Sequence, residues 1–524
     1  MQKQIALAIL TGLTLCQLAN AGTPKNVLVV AQSIDDLASL DPAEGFEFSS
    51  VQSFNSLYQR LVQSNRSNPA NIEAALASHW VAGKDGQSLQ FTLKPGARFA
   101  SGNPVRPEDV IFSLSRAVKL NKSPAFILNE LGWKAENVDG FLKKTGNNQV
   151  ELSWPAKVGP SFALSILSAP IASIVDAKTV QANEQNGDAG NGWLKSHSAG
   201  SGSFQLREYK PHEALVLDAN PRSPAGAPLL KTVIFKNVPD AAARRLQLEQ
   251  GDADIARDLS ADQIAALSGK TGVKVQVFPS AALYYVAFNT VSPSNSSLKN
   301  PAVWEAARWL IDYDGVANKL LRGQFKVHQS FLPSGFLGAL KDQPYRFDPA
   351  RAKAILAKAG IKDLTIKLDT FNQPPYADIA QSLQASFAQA GIRLELQPAI
   401  GSQVYAKVRA RSHEGVLLSW TPDYFDPHSN ASAFAINRDD GTKTLAWRNG
   451  WVIPALSDKT DQAVQETRPA KRVALYSALQ KDIQKNSPFV LAFQASQQVV
   501  LRSNVQGFLQ GLNADQVYFD KVSK

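Results

Sequence analysis

Thr365-Ile-Lys-Leu-Asp-Thr-Phe371, Arg393-Leu-Glu-Leu-Gln397 and Gly415-Val-Leu-Leu-Ser-Trp420 are three short runs with strand character, and segments of helix length separate them. Tyr376 to Ala390 has helical spacing and stops at Gly391, where a left-handed cap suits glycine. Ser402 to Arg411 reads as a second helix. Strands alternating with helices of this length form parallel, right-handed crossover units, so the chain is an α/β protein. Ligands of such sheets sit beyond the carboxyl ends of the strands, near the point where strand order reverses. Two loops occupy that place: Asn372-Gln-Pro-Pro-Tyr376 and Thr421-Pro-Asp-Tyr-Phe-Asp-Pro427.

Upstream, Asn26-Val-Leu-Val-Val-Ala-Gln32 reads as a buried strand. Ser50 to Val62 carries Val51, Phe54, Leu57, Tyr58 and Leu61 at helical spacing, which predicts a helix there. Leu89-Gln-Phe-Thr-Leu-Lys alternates like a half-buried strand and stops at the turn pair Pro95-Gly96. Pro107-Glu-Asp109 opens a helix, with proline in the first turn and acids where the dipole favours them. From about 135 to 230, short strands and loops hang on the scaffold. There is no internal repeat.

The 524 residues allow several lobes, and 44% hydrophobic content supplies large cores. The balance of 55 Lys+Arg against 45 Asp+Glu is spread along the chain without a basic run, so no nucleic-acid partner is expected. Residues 1–21 differ from the rest: Lys3 is the only charge, a short apolar stretch runs from Ile5 to Leu18, and Ala19-Asn-Ala21 ends it. That order predicts a signal peptide cleaved after Ala21 and an exported, periplasmic protein. The lipoprotein alternative at Cys16 is disfavoured because Leu15 is not small. The single Cys and single Met both fall inside this segment, so residues 22–524 contain no sulfur. Thiol nucleophiles, disulfides and thiolate metal sites are excluded from them. Sulfur economy is one reading of this absence, and avoidance of methionine oxidation is the other.

Several segments together resemble a known family. Leu40-Asp-Pro-Ala43 follows the first strand, and Leu76-Ala-Ser-His-Trp80 precedes Asp85-Gly86 and Phe91-Thr-Leu-Lys-Pro-Gly96. Glu108-Asp-Val-Ile-Phe-Ser113, Ser198-Ala-Gly-Ser-Gly-Ser-Phe204 and Leu248-Glu-Gln-Gly-Asp-Ala-Asp-Ile255 come next. Val286-Ala-Phe-Asn-Thr290, Asp348-Pro-Ala-Arg-Ala-Lys353 and Trp420-Thr-Pro-Asp-Tyr-Phe-Asp-Pro427 complete the order. In this order they resemble the family-5 extracellular solute-binding proteins of bacterial ABC importers, the dipeptide- and oligopeptide-binding group. The resemblance implies a bilobed periplasmic binding protein fold with an extra subdomain inserted in the first lobe. Lobe I would take 22–50, 195–288 and 490–524, the insertion 51–194, and lobe II 289–489. A peptide or peptide-like solute, opine-like and sulfur-containing conjugates included, would be clamped between the lobes of a monomer and delivered to an inner-membrane ABC permease. Closure would follow from contacts that the ligand makes with both lobes.

In peptide binders of the family, an acid in the loop after this strand holds the ligand's α-ammonium, and Asp423 matches it. A buried carboxylate tolerates poorly the lack of a cation; the competing reading is a turn cap in a Pro- and Asp-rich loop. Asp426 suits turn initiation in its Asp-Pro step. Trp420 stands where an aromatic would stack on the ligand or pack in the core, and Tyr424 and Phe425 are further candidates. Dipeptide binders place an Arg before the Pro-Tyr of the 371–376 loop to clamp the ligand carboxylate. Here that position is Pro374, flanked by the candidates Gln373 and Tyr376. The carboxylate would fall to another cation, among Arg409, Arg411 and Arg438. In the loop after the first strand, Glu44, Phe46 and Glu47 come within reach of the cleft.

No enzyme is expected. His79, His197, His212, His328, His413 and His428 show no paired metal spacing, so no metal site and no cofactor are predicted. His428, beside the Asp423 loop, reads as a solvated or capping residue before a ligand. Gly200-Ser-Gly-Ser203 is not a nucleophile elbow, and no phosphate loop is present. A nickel-chelate or haem carrier of the same fold is the alternative among binding proteins, and a secreted hydrolase the alternative of another class.

Overall fold

The computed structural model describes residues 22–438, 443–513 and 515–524. The expected signal peptide, with Met1 and Cys16, lies outside the described residues. A mixed sheet runs through the molecule. From one edge its strands are Ile392–Ala399, Leu364–Phe371, Gly415–Trp420, Val273–Phe288, Phe489–Arg502, Ile255–Ala256, Val27–Gln32, Thr232–Asn237, Ala214–Ala219 and Phe204–Lys210. The parallel crossovers read from 365–420 are present: Leu364–Phe371 pairs in parallel with both Ile392–Ala399 and Gly415–Trp420. Val27–Gln32 lies between two parallel partners and is buried along most of its length, as its unbroken apolar run requires.

Two long antiparallel strands, Val273–Phe288 and Phe489–Arg502, belong to both halves. Their pairing is regular from Val273↔Arg502 to Pro279↔Ser496, breaks, and resumes at Leu283↔Gln494. On one side of the break, strands 27–32 and 255–256 build a core with Leu28, Phe235 and Val499. On the other, Tyr285, Phe371, Leu417 and Phe489 belong to a larger core. Each rigid half thus has its own apolar interior, and two strands pass between them.

A four-stranded antiparallel sheet of Ala77–Ala82, Ser88–Leu93, Leu142–Gly146 and Gln149–Ser153 forms a separate layer with its own core around Phe91, Leu114, Trp133 and Phe162. The helix Pro107–Leu120 packs against it, with Asp109 accepting from the Arg106 N–H at 2.8 Å. Its Arg116 makes a buried two-point pair with Asp41, at 2.9 and 2.5 Å, tying this layer to the loop after the first strand.

The predicted helix Ser50–Val62 is corrected. The helix is Phe48–Leu57; Tyr58 turns extended, and Val62–Ser64 becomes a strand paired with Ile72–Ala74. Helical spacing continues past Leu57, but the Tyr58 hydroxyl is drawn to the Leu40 carbonyl at 2.9 Å, and Gln59 bridges Ile174. Tertiary partners outweigh local period there. The glycines of 200–203 also have a structural cause. A Cβ on Gly200 would stand 2.0 Å from the Leu57 carbonyl oxygen, and one on Gly202 2.1 Å from that of Ser56. Only glycine lets this segment pass the end of the Phe48–Leu57 helix.

Candidate functional site

Strand Gly415–Trp420 ends in the 421–426 loop, and this loop is held hard at its far end. Asp426 caps helix Pro427–Ala435 by accepting from the His428 N–H at 2.8 Å. It also receives both Arg472 guanidinium nitrogens at 2.8 and 2.7 Å, both residues being buried. Phe425 stacks on Phe336 with ring centroids 4.1 Å apart. Tyr424 leaves its own half altogether: its ring meets Phe162 edge-on at 5.8 Å and belongs to the insertion's core. His428 joins the same contact from the helix, 5.7 Å from Phe162, with Nε2 3.6 Å from a Glu130 carboxylate oxygen. It is buried, not solvated.

Between these anchors stands Asp423. Its N–H donates to Ser429 Oγ at 2.8 Å, and among the described residues no cation pairs with its carboxylate. Burial raises its pKa to about 7; the Glu130 charge adds to the rise, and Arg448 works against it. A carboxylate poised between its two forms, with a second acid across the gap, is built to receive a cation.

Asp423, Tyr424 and Phe425 form one wall of a small interlobe cavity. The opposite wall carries Asn55, Arg60 and Gln63 with Asp515 and Tyr518 from the chain's last segment. Arg60 donates to Asn55 Oδ1 at 2.7 Å and lies 3.5 Å from Asp515, whose carboxyl burial pushes above its ordinary range and Arg60 pulls back. The free volume, about 20 Å3, is that of roughly one water. The lobes here are drawn together.

The other residues read from the sequence spread around this point. Trp420 is half-buried; its N–H donates to Asn430 at 3.1 Å and its ring is edge-on to Phe434. Tyr376 is buried on the opposite face of the sheet, with its hydroxyl 2.8 Å from Ser419 Oγ. Gln373 is exposed in its loop, beside the Pro374–Pro375 bond, which is cis. Phe46 is exposed and meets Phe126 edge-on at 5.8 Å. Of the three arginines, Arg438 is paired with Asp458 and Asp461 at 3.2 and 2.6 Å. Arg411 lies over Trp447 at 4.7 Å and Arg409 over Tyr405 at 5.5 Å. Glu130, Arg60, Asp515 and Arg448 are absent from the sequence reading. Their neighbourhoods carry no motif, and only folding brings them to Asp423. Among the described residues no group of three or more His, Cys, Asp and Glu is placed to hold a metal, and no helix is long and apolar enough to cross a membrane.

Comparison with known proteins agrees with this architecture. Residues 71–442 match the family model of bacterial extracellular solute-binding proteins, family 5 middle. The probable D,D-dipeptide-binding periplasmic protein DdpA of Escherichia coli K12 is 29% identical over 514 residues, spanning 95% of this chain and 94% of that one. Among solved structures, a periplasmic DppA of Helicobacter pylori in complex with the peptide STSA superposes with a TM-score of 0.79 at 22% identity, covering 95% of this chain and 98% of that one. A dipeptide-binding protein of Pseudoalteromonas sp. SM9913 in complex with Met-Leu gives 0.80 at 20% identity, covering 95% and 100%.

Proposed function

Since the chain belongs to the family-5 bacterial extracellular solute-binding proteins, we propose that it is the periplasmic receptor of an ABC importer and captures short peptides or amino-acid conjugates by lobe closure. One observation carries the ligand class: Asp423 offers a carboxylate, with no cation paired to it among the described residues, in the gap that the two halves share. An ammonium there would neutralise Asp423 on one lobe and feel Glu130 on the inserted subdomain, so it would favour the closed state from both sides. The contents of the cleft support the same reading. Asn55, Gln63 and Gln516 line it with amide groups of the kind that pair with a peptide backbone, and Tyr424 and Tyr518 with aromatic rings.

A gap of about 20 Å3 admits no dipeptide, so uptake requires the lobes to part first. The break in strand pairing between Pro279 and Leu283 is where such a motion would bend. The relative named for D,D-dipeptides, and the solved proteins holding STSA and Met-Leu, make peptides with a free amino end the first ligands to try. Export to the periplasm, cleavage after Ala21 and a monomeric state belong to the same proposal.

Calorimetric titration tests it. Ala-Ala and D-Ala-D-Ala bind, their N-acetyl derivatives do not, and Asp423→Asn weakens the free amines by at least about 30-fold, the scale of breaking a buried charged hydrogen bond. Equal binding of free and acetylated peptides would remove Asp423 from the recognition of an amine. Turnover of any of these compounds would replace a receptor with an enzyme.

A further inference from the structure

The inserted subdomain carries a concavity of its own, which shares no lining residue with the interlobe cavity. Three segments converge on it. Residues 94–98 leave strand Ser88–Leu93, residues 104–108 lead into helix Pro107–Leu120, and residues 144–148 belong to the turn between strands Leu142–Gly146 and Gln149–Ser153. Backbone bonds fix how they lie. The Leu93 N–H donates to the Asn148 carbonyl at 2.8 Å, and the Val105 N–H to that of Ala97 at 2.9 Å. Arg98 and Pro104 stand opposite each other as a non-hydrogen-bonded antiparallel pair, so their side chains leave the same face. Arg106 is extended and lies two residues beyond Pro104, which turns it to that face as well.

The cavity encloses about 440 Å3, the size of sites that take small organic molecules and more than one inorganic ion needs. Its lining is lopsided in charge: Lys94, Arg98, Arg106 and Lys144 face a single acid, Glu108. That acid is already taken, since Lys144 Nζ lies 2.6 Å from its carboxylate. Arg98 spends one guanidinium nitrogen on the Gly102 carbonyl at 2.8 Å. Among the described residues no acid pairs with Lys94, Arg98 or Arg106. The start of the helix needs none of this charge, because Asp109 is buried and caps it by accepting from the Arg106 N–H. Arg98 and Arg106 are exposed and Lys94 half-buried, so packing does not require their charge.

Like charges gathered around one cavity repel one another in the empty protein, and an anion between them removes that cost. We propose that this groove of the inserted subdomain is a second binding site, separate from the peptide cleft, and that it takes a phosphate-bearing anion. Two guanidinium forks side by side match phosphate oxygens at two points each, and lysine adds point charge. The amides of Asn147 and Asn148 complete the rim with neutral donors. The surplus of cations calls for more than one negative charge, which a diphosphate or a row of phospholipid headgroups supplies. The site stands whether or not the cleft binds peptides, because neither its residues nor its ligand belong to the cleft.

The test has two arms at physiological ionic strength: calorimetry with inorganic pyrophosphate, and cosedimentation with phosphatidylcholine vesicles with and without phosphatidylglycerol. Wild type binds in at least one arm. Arg98→Gln/Arg106→Gln weakens that binding at least about 10-fold. Lys94→Gln, which breaks no side-chain bond of the loop, weakens it in the same sense. The control is Lys358→Gln/Lys362→Gln, which removes the same charge from exposed positions of the second lobe and leaves binding unchanged. Pyrophosphate binding that depends on the groove assigns a soluble ligand, and groove-dependent binding to the anionic vesicles assigns a headgroup; either upholds the site. Melting temperatures of the variants match wild type, since the replaced side chains are exposed or only half-buried. Binding in neither arm, binding that the groove variants retain, or an equal loss in the second-lobe control overturns the site; the last would reduce it to the net charge of the protein.

Discussion

Phe162 of the inserted subdomain receives Tyr424 of the second half edge-on, with ring centroids 5.8 Å apart and planes at 87°. The residue next to the candidate amine site is thus also the residue that closes the gap. Tyr424 buries its ring in the other body's core, while its hydroxyl, beside the cavity, has no hydrogen-bond partner among the described residues. The candidate amine site and the contact between the bodies are thus two consecutive side chains, Asp423 and Tyr424.

Tyr424→Phe separates those roles. The hydroxyl is buried without a partner, so its removal costs the empty protein nothing and raises stability by up to about 1 kcal/mol. Chemical denaturation measures this. If the hydroxyl turns to the ligand, the same variant weakens peptide binding about 3- to 10-fold. A drop in stability would mean that the hydroxyl is satisfied in the empty protein.

Asp423 sets a pH dependence with opposite signs for stability and binding. Its folded pKa of about 7 lies above that of an unfolded aspartate. Between about pH 4 and 7 the folded chain therefore binds the extra proton, and the stability of the ligand-free protein falls as pH rises through this window. Affinity for an amine rises through pH 6–8, as the carboxylate ionises. Melting curves and titrations across that range check both, and Asp423→Asn flattens both. Stability rising from pH 4 to 7 by an amount that depends on Asp423 would contradict the environment described for it.

Glu130→Gln removes the like charge across the gap. Asp423 then returns toward its ordinary range, and the midpoint of the pH dependence of binding moves to lower pH. The substitution also takes away the acid facing His428 Nε2. A midpoint unmoved in Glu130→Gln would show that burial alone raises Asp423.

Arg472→Met leaves Asp426 buried without its two-point partner and costs about 3–5 kcal/mol in a urea titration. Asp426→Asn in that background restores a large part, because asparagine still caps the helix and carries no charge. If the double variant is no more stable than the single one, packing rather than charge accounts for the loss.

The family and the crossover strands were legible because their signals are local. Val27–Gln32 and Gly415–Trp420 are buried along most of their length and read as short apolar runs, while Leu364–Phe371 alternates near its start, where Lys367 is exposed. The 421–427 loop was legible because it follows a strand at the end where ligands of such sheets sit, and Asp423 was a candidate because it matches the acid of the family's peptide binders. Helical period misled beyond Leu57, where Leu40 and Ile174, distant in the chain, claim Tyr58 and Gln59.

What the amino-acid sequence determined by itself was the first strand, the alternating strands and helices of 364–420 and the order of the family motifs, since each depends on neighbours along the chain. Tertiary structure alone decided that Tyr424 would be buried in another body, and that burial, with the Glu130 charge beside it, would raise the pKa of Asp423. Charges act through space, and their partners are chosen by how distant segments close on one another. No period or spacing along the chain encodes that distance.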